Sequence, residues 1–490
     1  MTAPPLIPAG STKAPGSRRL PALDVLRGLA ILGTLLTNIW IFTSPTSPVQ
    51  AAISGKPVGE VMGIAGLRAG DAGSYLQTGL NLVTDGKFIG LLTIMFGIGL
   101  EIQRQAAIRR GEEWPGGYPW RAGLLILDGL LNYIFIFEYD VLMGYGLTGL
   151  AVCFILGTSK KAQKIWMVVG ITLHLLFVGF MSAAMMPVLE KLYPGGGSVE
   201  GDEAMAVLVE RAHTQGWSEA QTLAEAGRQG MDPNTVREQM SALNEALAAG
   251  APGAAMQTEV YWDQVLERLQ GFWGGRSEIP IMFFMGLGLF LVGAHLYRAG
   301  LFLPHGDTLR KRVMLLSFGI GLPIDWACRL FFAEVSGGFP RYVTSTLVSF
   351  GLLSLVAHIY ARRESVGPIG RPFELVGKMA LTCYIGQNLL CSILFYDWGF
   401  GLANKMPQEN SGYWVLLVYV GLCAFLVAFS AVWLRMFSRG PVELVWHASY
   451  EAIMKRRGPA IARRAEKRAE RRRAKAEKTG ETDKVMSSAL

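Results

Sequence analysis

Ionisable side chains inside the apolar stretches of this sequence fall into groups, and in a bilayer such groups pair, line a wet cavity or do work. Asp85 and Lys87 open one apolar run, Asp325 and Arg329 stand four apart in another, and Asp24 and Arg27 stand three apart at the mouth of the first. Spacings of three and four share a helix face, so the last two pairs can neutralise themselves. Asp128 is a carboxyl near mid-segment: it stays protonated, pairs with a cation on a neighbouring helix, or serves as a base whose proton affinity desolvation has raised.

These groups sort into two layers. The outer one holds Asp85, Lys87, Glu138, Asp140, Arg276, Glu278, Asp325, Arg329 and Asp397, and the inner one holds Asp24, Arg27, Glu101, His295, His358, Lys378 and Glu443. Asn38, Asp128, Asn132, His174, Gln387 and Asn388 fall between. A polar outer vestibule over a basic inner mouth suits a small polar or anionic substrate. The histidines lack metal-ligand spacing, and the five cysteines, all in apolar segments, show no disulfide or zinc pattern. No metal and no tightly bound cofactor is expected.

The elements that must position these residues are membrane helices. About 20 apolar residues span a bilayer core of about 30 Å, and ten segments qualify. They begin at Ala22–Phe42, Tyr75–Gln103, Ala122–Phe137, Val141–Gly157 and Ile165–Leu189, and continue at Ile279–Tyr297, Val313–Phe332, Arg341–Tyr360, Phe373–Phe395 and Tyr413–Phe437. In the second, Gly86 or the Gly97/Gly99 pair can break the helix. The third and fourth form a hairpin turning at Glu138-Tyr139-Asp140.

Composition agrees: 51% of the 490 residues are hydrophobic and only 17% charged, against about 25% charged in globular proteins. Ten crossings place the Lys/Arg-rich loops, and both termini, on the cytoplasmic side. The expected fold is therefore an all-α polytopic integral membrane protein of about ten helices, in a bacterial plasma membrane. Residues 1–20 form a disordered leader, 21–189 a five-helix bundle, 190–278 an acidic outer insertion, 279–440 a second five-helix domain and 441–490 a basic tail.

The insertion has 14 acidic and 6 basic residues. Its YWDQVLERLQGFW segment is amphipathic and expected to lie on the outer membrane surface. From Lys455 to Leu490 there are 13 Lys/Arg and 5 Asp/Glu, which accounts for the whole chain's net charge of +8. Such a tail attracts anionic lipid headgroups. Without a base-reading motif or interleaved aromatics it gives no reason to expect nucleic acid. Self-association into a homo-oligomer stays open.

The strings LDVLRGLAILGTLLTNI, DGKFIGLLTIMFGIGL, YDVLMGYGLTG, GKMALTCYIGQNLLCSILFY and GPVELVWH occur in that order between Leu20 and His447. In them the chain resembles the YeiB-like family of bacterial polytopic membrane proteins with a C-terminal domain of unknown function. It departs from that pattern in its longer insertion and in having Asn132 where family members usually show histidine. The opening motif is also similar, more distantly, to transmembrane acyltransferases of the heparan-alpha-glucosaminide N-acetyltransferase type. That resemblance implies acyl-CoA as co-substrate. It makes Arg27, with Asp24 and Lys378, the donor-binding group and matches Asn38 to an asparagine of the acyltransferase core. The histidine those enzymes carry shortly afterwards has no counterpart between Asn38 and Asp85. Asp85 or Asp128 would then serve as base. Lys87, Glu138, Asp140, Asp325, Arg329, Gln387 and Asn388 would line the acceptor vestibule, open to a glycan, a lipid or a small molecule. The alternative is a transporter or exporter without covalent chemistry, for which broken helices are the sequence mark.

Overall fold

The computed structural model describes residues 20–43, 72–192, 208, 218–228, 231–248, 260–272, 278–331, 338–363, 365–407 and 410–457, and every regular element among them is helical. The leader, the 44–71 loop, Arg276 and the tail beyond residue 457 lie outside the described residues, as does the expectation that the tail meets anionic lipid.

The helices in the first half are α1 (Pro21–Thr43), α2 (Ala72–Thr84), α3 (Lys87–Arg109), α4 (Tyr118–Phe135), α5 (Leu142–Leu156) and α6 (Lys160–Leu192). The insertion contributes α7 (Glu219–Arg228), α8 (Pro233–Ala248) and α9 (Tyr261–Gln270). Then follow α10 (Glu278–Arg298), α11 (Asp307–Leu316), α12 (Leu322–Phe331), α13 (Ser345–Tyr360), α14 (Gly367–Lys378), α15 (Ala380–Phe395), α16 (Leu402–Lys405) and α17 (Ser411–Met436). A π-turn at Ser317–Gly321 joins α11 to α12, another at Pro340–Thr344 leads into α13, and a final helix covers residues 441–457.

All ten expected spans coincide with helical segments, but the count of ten needs correcting. Among the described residues, seven helices are long and apolar enough to cross a membrane, or eight if α14 and α15, bent by 84°, form one span. The hairpin α4–α5 accounts for the difference. At 15 residues and 1.5 Å per residue, α5 reaches only about 22 Å, and α4 carries Arg121, Asp128 and Asn132. The chain is a multi-pass membrane protein whose lipid-facing helices α6, α11–α12 and α17 are little buried.

The core lies around α1 and α10. Helix α1 is buried over most of its length and crosses α14 closely enough that a Cβ on Gly28 would overlap the Phe373 carbonyl and one on Gly377 the Asp24 carbonyl. Small residues at such crossings let backbones approach where apolar lipid gives no hydrophobic drive. Helix α10 packs against α3, α5 and α6. Gly97 sits against the Phe290 carbonyl, whereas a Cβ on Gly99 would meet nothing, and both lie inside an unbroken α3. The break falls at Gly86, whose φ of +74° is the left-handed conformation glycine adopts without a Cβ penalty.

Leu20 lies beside Gln105 and Arg298, and Arg121 lies over Tyr450 at 4.4 Å. The first and last described segments therefore meet at one end of the bundle, with the basic loops; this is called the basic end below.

Candidate functional site

The break between α2 and α3 is held by a buried ion cluster. Lys87 Nζ donates to Asp325 Oδ2 at 2.5 Å, with the two side chains 1% and 0% exposed. Arg329 reaches both carboxylates, donating to Asp325 from Nε at 3.2 Å and to Asp85 Oδ2 at 2.8 Å, with a further bond to the Asp85 carbonyl at 2.9 Å. Arg341 donates to Asp85 Oδ1 at 3.0 Å, and Thr344 donates to Asp325 at 2.7 Å. Asp325 and Arg329 thus pair as their spacing suggests, but within a five-membered group of three cations and two carboxylates. Gly86 is required beside it, because a Cβ there would strike the Arg341 carbonyl and Ser345 Oγ. Both Asp85 oxygens accept charge-assisted bonds from guanidinium groups, so this carboxylate is engaged as a structural anion.

A second polar group lies where the α4–α5 hairpin meets α15. Asn132 Nδ2 donates to Asp140 Oδ1 at 2.9 Å, the Met143 backbone N–H donates to Oδ2 at 3.2 Å, and the Tyr384 hydroxyl approaches Oδ1 at 3.4 Å. Ser392 ties α15 to the hairpin through the Ile136 carbonyl at 2.8 Å. Gln387 and Asn388 share this buried face, 0% and 1% exposed. Among the described residues neither polar atom of Gln387 finds a hydrogen-bond partner, nor do the indole nitrogens of Trp40 and Trp398 or Asn132 Oδ1. Buried polar atoms are satisfied in the great majority of cases, so the open Gln387 amide marks a place for a polar ligand or water. Glu138 is buried at the same hairpin, and Phe42 stacks on Phe137 at 4.3 Å and lies 5.5 Å from Tyr396. Asn38, one turn earlier on α1, shares that face.

Helix α9 covers the group. The Tyr133 hydroxyl donates to the Arg268 carbonyl at 3.0 Å, and Tyr261 donates to the Phe135 carbonyl at 2.9 Å. Gln264, Val265 and Arg268 point inward, while Trp262, Leu266 and Leu269 are 63%, 53% and 48% exposed. The outward surface is mixed, since Asp263, Glu267 and Gln270 are exposed beside these apolar side chains, as on a helix lying at a membrane interface.

The candidate donor residues are closely placed but already partnered. Arg27 pairs with Asp24 at 3.3 Å, and Lys378 pairs with Glu374 at 2.6 Å, with Arg371 on the same carboxylate. Glu443, from the last helix, caps the start of α15 by accepting from the backbone N–H groups of Leu381 and Thr382 and from the Thr382 hydroxyl. Asp128 sits half-buried, with Leu127 and Leu131 beside it exposed. No hydrogen bond joins Asp85, Asp128 and Asn38 to one another among the described residues. His174 Nε2 donates to the Tyr342 carbonyl at 3.0 Å, and no metal-ligating cluster occurs among the described residues. Sequence reasoning passed over Tyr384, whose hydroxyl one turn before Gln387 was the available signal. It also left Arg341 out of the polar layers, since its partner is 256 residues away.

Residues 296–451 match the family described as "Protein of unknown function (DUF418)". The chain is 23% identical over 439 residues to the uncharacterized protein YxaH of Bacillus subtilis, covering 88% of this chain and 94% of that protein. It is 25% identical over 463 residues to the uncharacterized protein YeiB of Escherichia coli, covering 90% and 98%. No solved structure matches it. The similarity read from the five motifs therefore extends along nearly the whole chain: this is a multi-pass membrane protein similar to YeiB and YxaH, with a DUF418 match in its C-terminal half.

Proposed function

We propose that the protein is an acyltransferase-like enzyme of the bacterial plasma membrane. It takes an acyl group from an acyl-CoA-type donor entering at the basic end and passes it to a small-molecule, glycan or lipid acceptor in the polar group around Asp140, Tyr384 and Gln387. The observation that carries the reading is the wholly buried Gln387 amide, open at both polar atoms on the α15 face that also brings Tyr384 to Asp140. Acyl transfer needs a base for the acceptor's proton and neutral donors for the carbonyl oxygen as charge develops on it. Asp140 is the carboxylate placed for the first role, through Tyr384, and Gln387 is placed for the second. As the acceptor oxygen bonds to the acyl carbon, the thioester C–S bond breaks and the proton passes to the leaving thiolate. Asp85 is committed to Arg329 and Arg341, so its role is to fix the α2–α3 break.

Translocation of a polar solute without covalent change is the second reading. Two observations favour it: the break at Gly86 and the 84° bend between α14 and α15, since discontinuous spans recur in transporters. Membrane vesicles supplied with radiolabelled acetyl-CoA distinguish the two. Transfer of label to an envelope acceptor in wild type, reduced at least a hundredfold in Asp140→Asn and Gln387→Ala, supports the enzyme. An absence of covalent transfer, with solute flux retained, supports the transporter.

A further inference from the structure

We propose that the groove between α6 and α10 at the basic end binds the headgroup of an anionic phospholipid. The groove has a volume of about 370 Å³ and is lined by Lys160, Lys164, His295 and Arg298 above a floor that includes Met167 and Leu291. No carboxylate lines it. Among the described residues, Lys160, Lys164 and Arg298 form no ion pair. Arg27, Arg104 and Lys378, by contrast, are each matched with an acidic residue on their own helix.

The site is built and not merely basic. Gln163, 6% exposed, donates to the Leu156 and Thr158 carbonyls at 3.1 and 2.9 Å, which fixes its amide. Its oxygen accepts from Arg298 at 2.9 Å, and Arg298 Nε donates to the Ala294 carbonyl at 3.2 Å. The guanidinium is therefore held in the groove wall before any ligand arrives. Further along, the helices close where Gly170 meets Gly288, so the groove is a shallow inlet and not a channel. Beside it α6 exposes Ile165, Trp166 and Val168, 54%, 45% and 59% accessible, a surface suited to acyl chains with tryptophan at headgroup level. Fixed cations above an apolar floor, between spanning helices and next to lipid-facing side chains, match an amphiphile with an anionic head. A free phosphate would leave the floor and the flank unused.

The test uses purified full-length protein in neutral detergent. Phosphatidylglycerol, phosphatidylcholine and soluble glycerol phosphate are each titrated while the thermal midpoint and the bound lipid seen by native mass spectrometry are followed. The expected result is saturable stabilisation by phosphatidylglycerol alone. In Lys160→Gln/Lys164→Gln its midpoint concentration should rise by roughly thirtyfold, as for two near-surface cations, and in Lys161→Gln, whose side chain lies off the groove, it should not change. Equal effects of phosphatidylcholine, an unchanged midpoint in the double variant, or glycerol phosphate acting with the same lysine dependence while the lipid does nothing would each overturn the proposal. None of these outcomes bears on acyl transfer, which is read separately from label transfer.

Discussion

Asp325→Ala is the sharpest probe of how the helix break is held. Asp325 is fully buried and accepts from Lys87, Arg329 and Thr344. Its removal takes the cluster from one excess positive charge to two and strips Lys87 of the carboxylate it donates to. Breaking a buried pair on one side costs about 3–5 kcal/mol, because the surviving charge stays in a low dielectric, whereas removing both partners is far cheaper. Lys87→Met/Asp325→Leu restores the original balance with side chains of similar volume, and the single variants Lys87→Met and Asp325→Leu close the cycle. The double variant should lie within about 1.5 kcal/mol of wild type, giving a coupling of at least about 3 kcal/mol in the cycle. The assay is thermal or denaturant unfolding of the detergent-solubilised protein, followed by loss of its monodisperse peak. A silent Asp325→Ala, or a double variant as damaged as the two singles added together, would refute the buried pair.

Three further outcomes follow from local geometry. Gly86→Ala should lose folded protein by about 2 kcal/mol or more, since it adds both a left-handed strain and a clash with the Arg341 carbonyl; its yield after solubilisation reports this. Gly377→Val, at the α1–α14 crossing, should cost about 1–3 kcal/mol from overpacking, while Gly99→Ala, where an added Cβ meets nothing, should be neutral in the same melt. Glu443→Ala should cost about 1–2 kcal/mol by leaving the first amides of α15 uncapped, and Glu443→Gln should recover part of the loss.

What the sequence revealed follows from the range of the interactions. Asp325/Arg329 and Asp24/Arg27 were legible because each pair lies within one helical turn. Joining Asp85 to Arg329, 244 residues away, needs the packing of α2, α12 and α13, which no spacing encodes. The donor residues show a local signal passed over: Glu374, four before Lys378, already announced a partner. The bend at Met379 was invisible because the apolar run continues through it. The amphipathic stripe of α9 was plain, but hydrophobic periodicity alone cannot say which side faces lipid and which faces protein. Gln387 and Asn388 were read as mid-membrane amides; that both amides are buried beside Tyr384 and Asp140 emerged only from the fold.

The most direct test of the central claim is a structure of the protein in lipid nanodiscs at a resolution that shows hydrogen-bonded waters and small molecules around α15. Non-protein density is expected within hydrogen-bonding distance of the Gln387 amide and the Tyr384 hydroxyl, lost in Gln387→Leu with the helices unmoved. Gln387 hydrogen-bonded wholly to protein groups, with no such density in wild type, would contradict that claim.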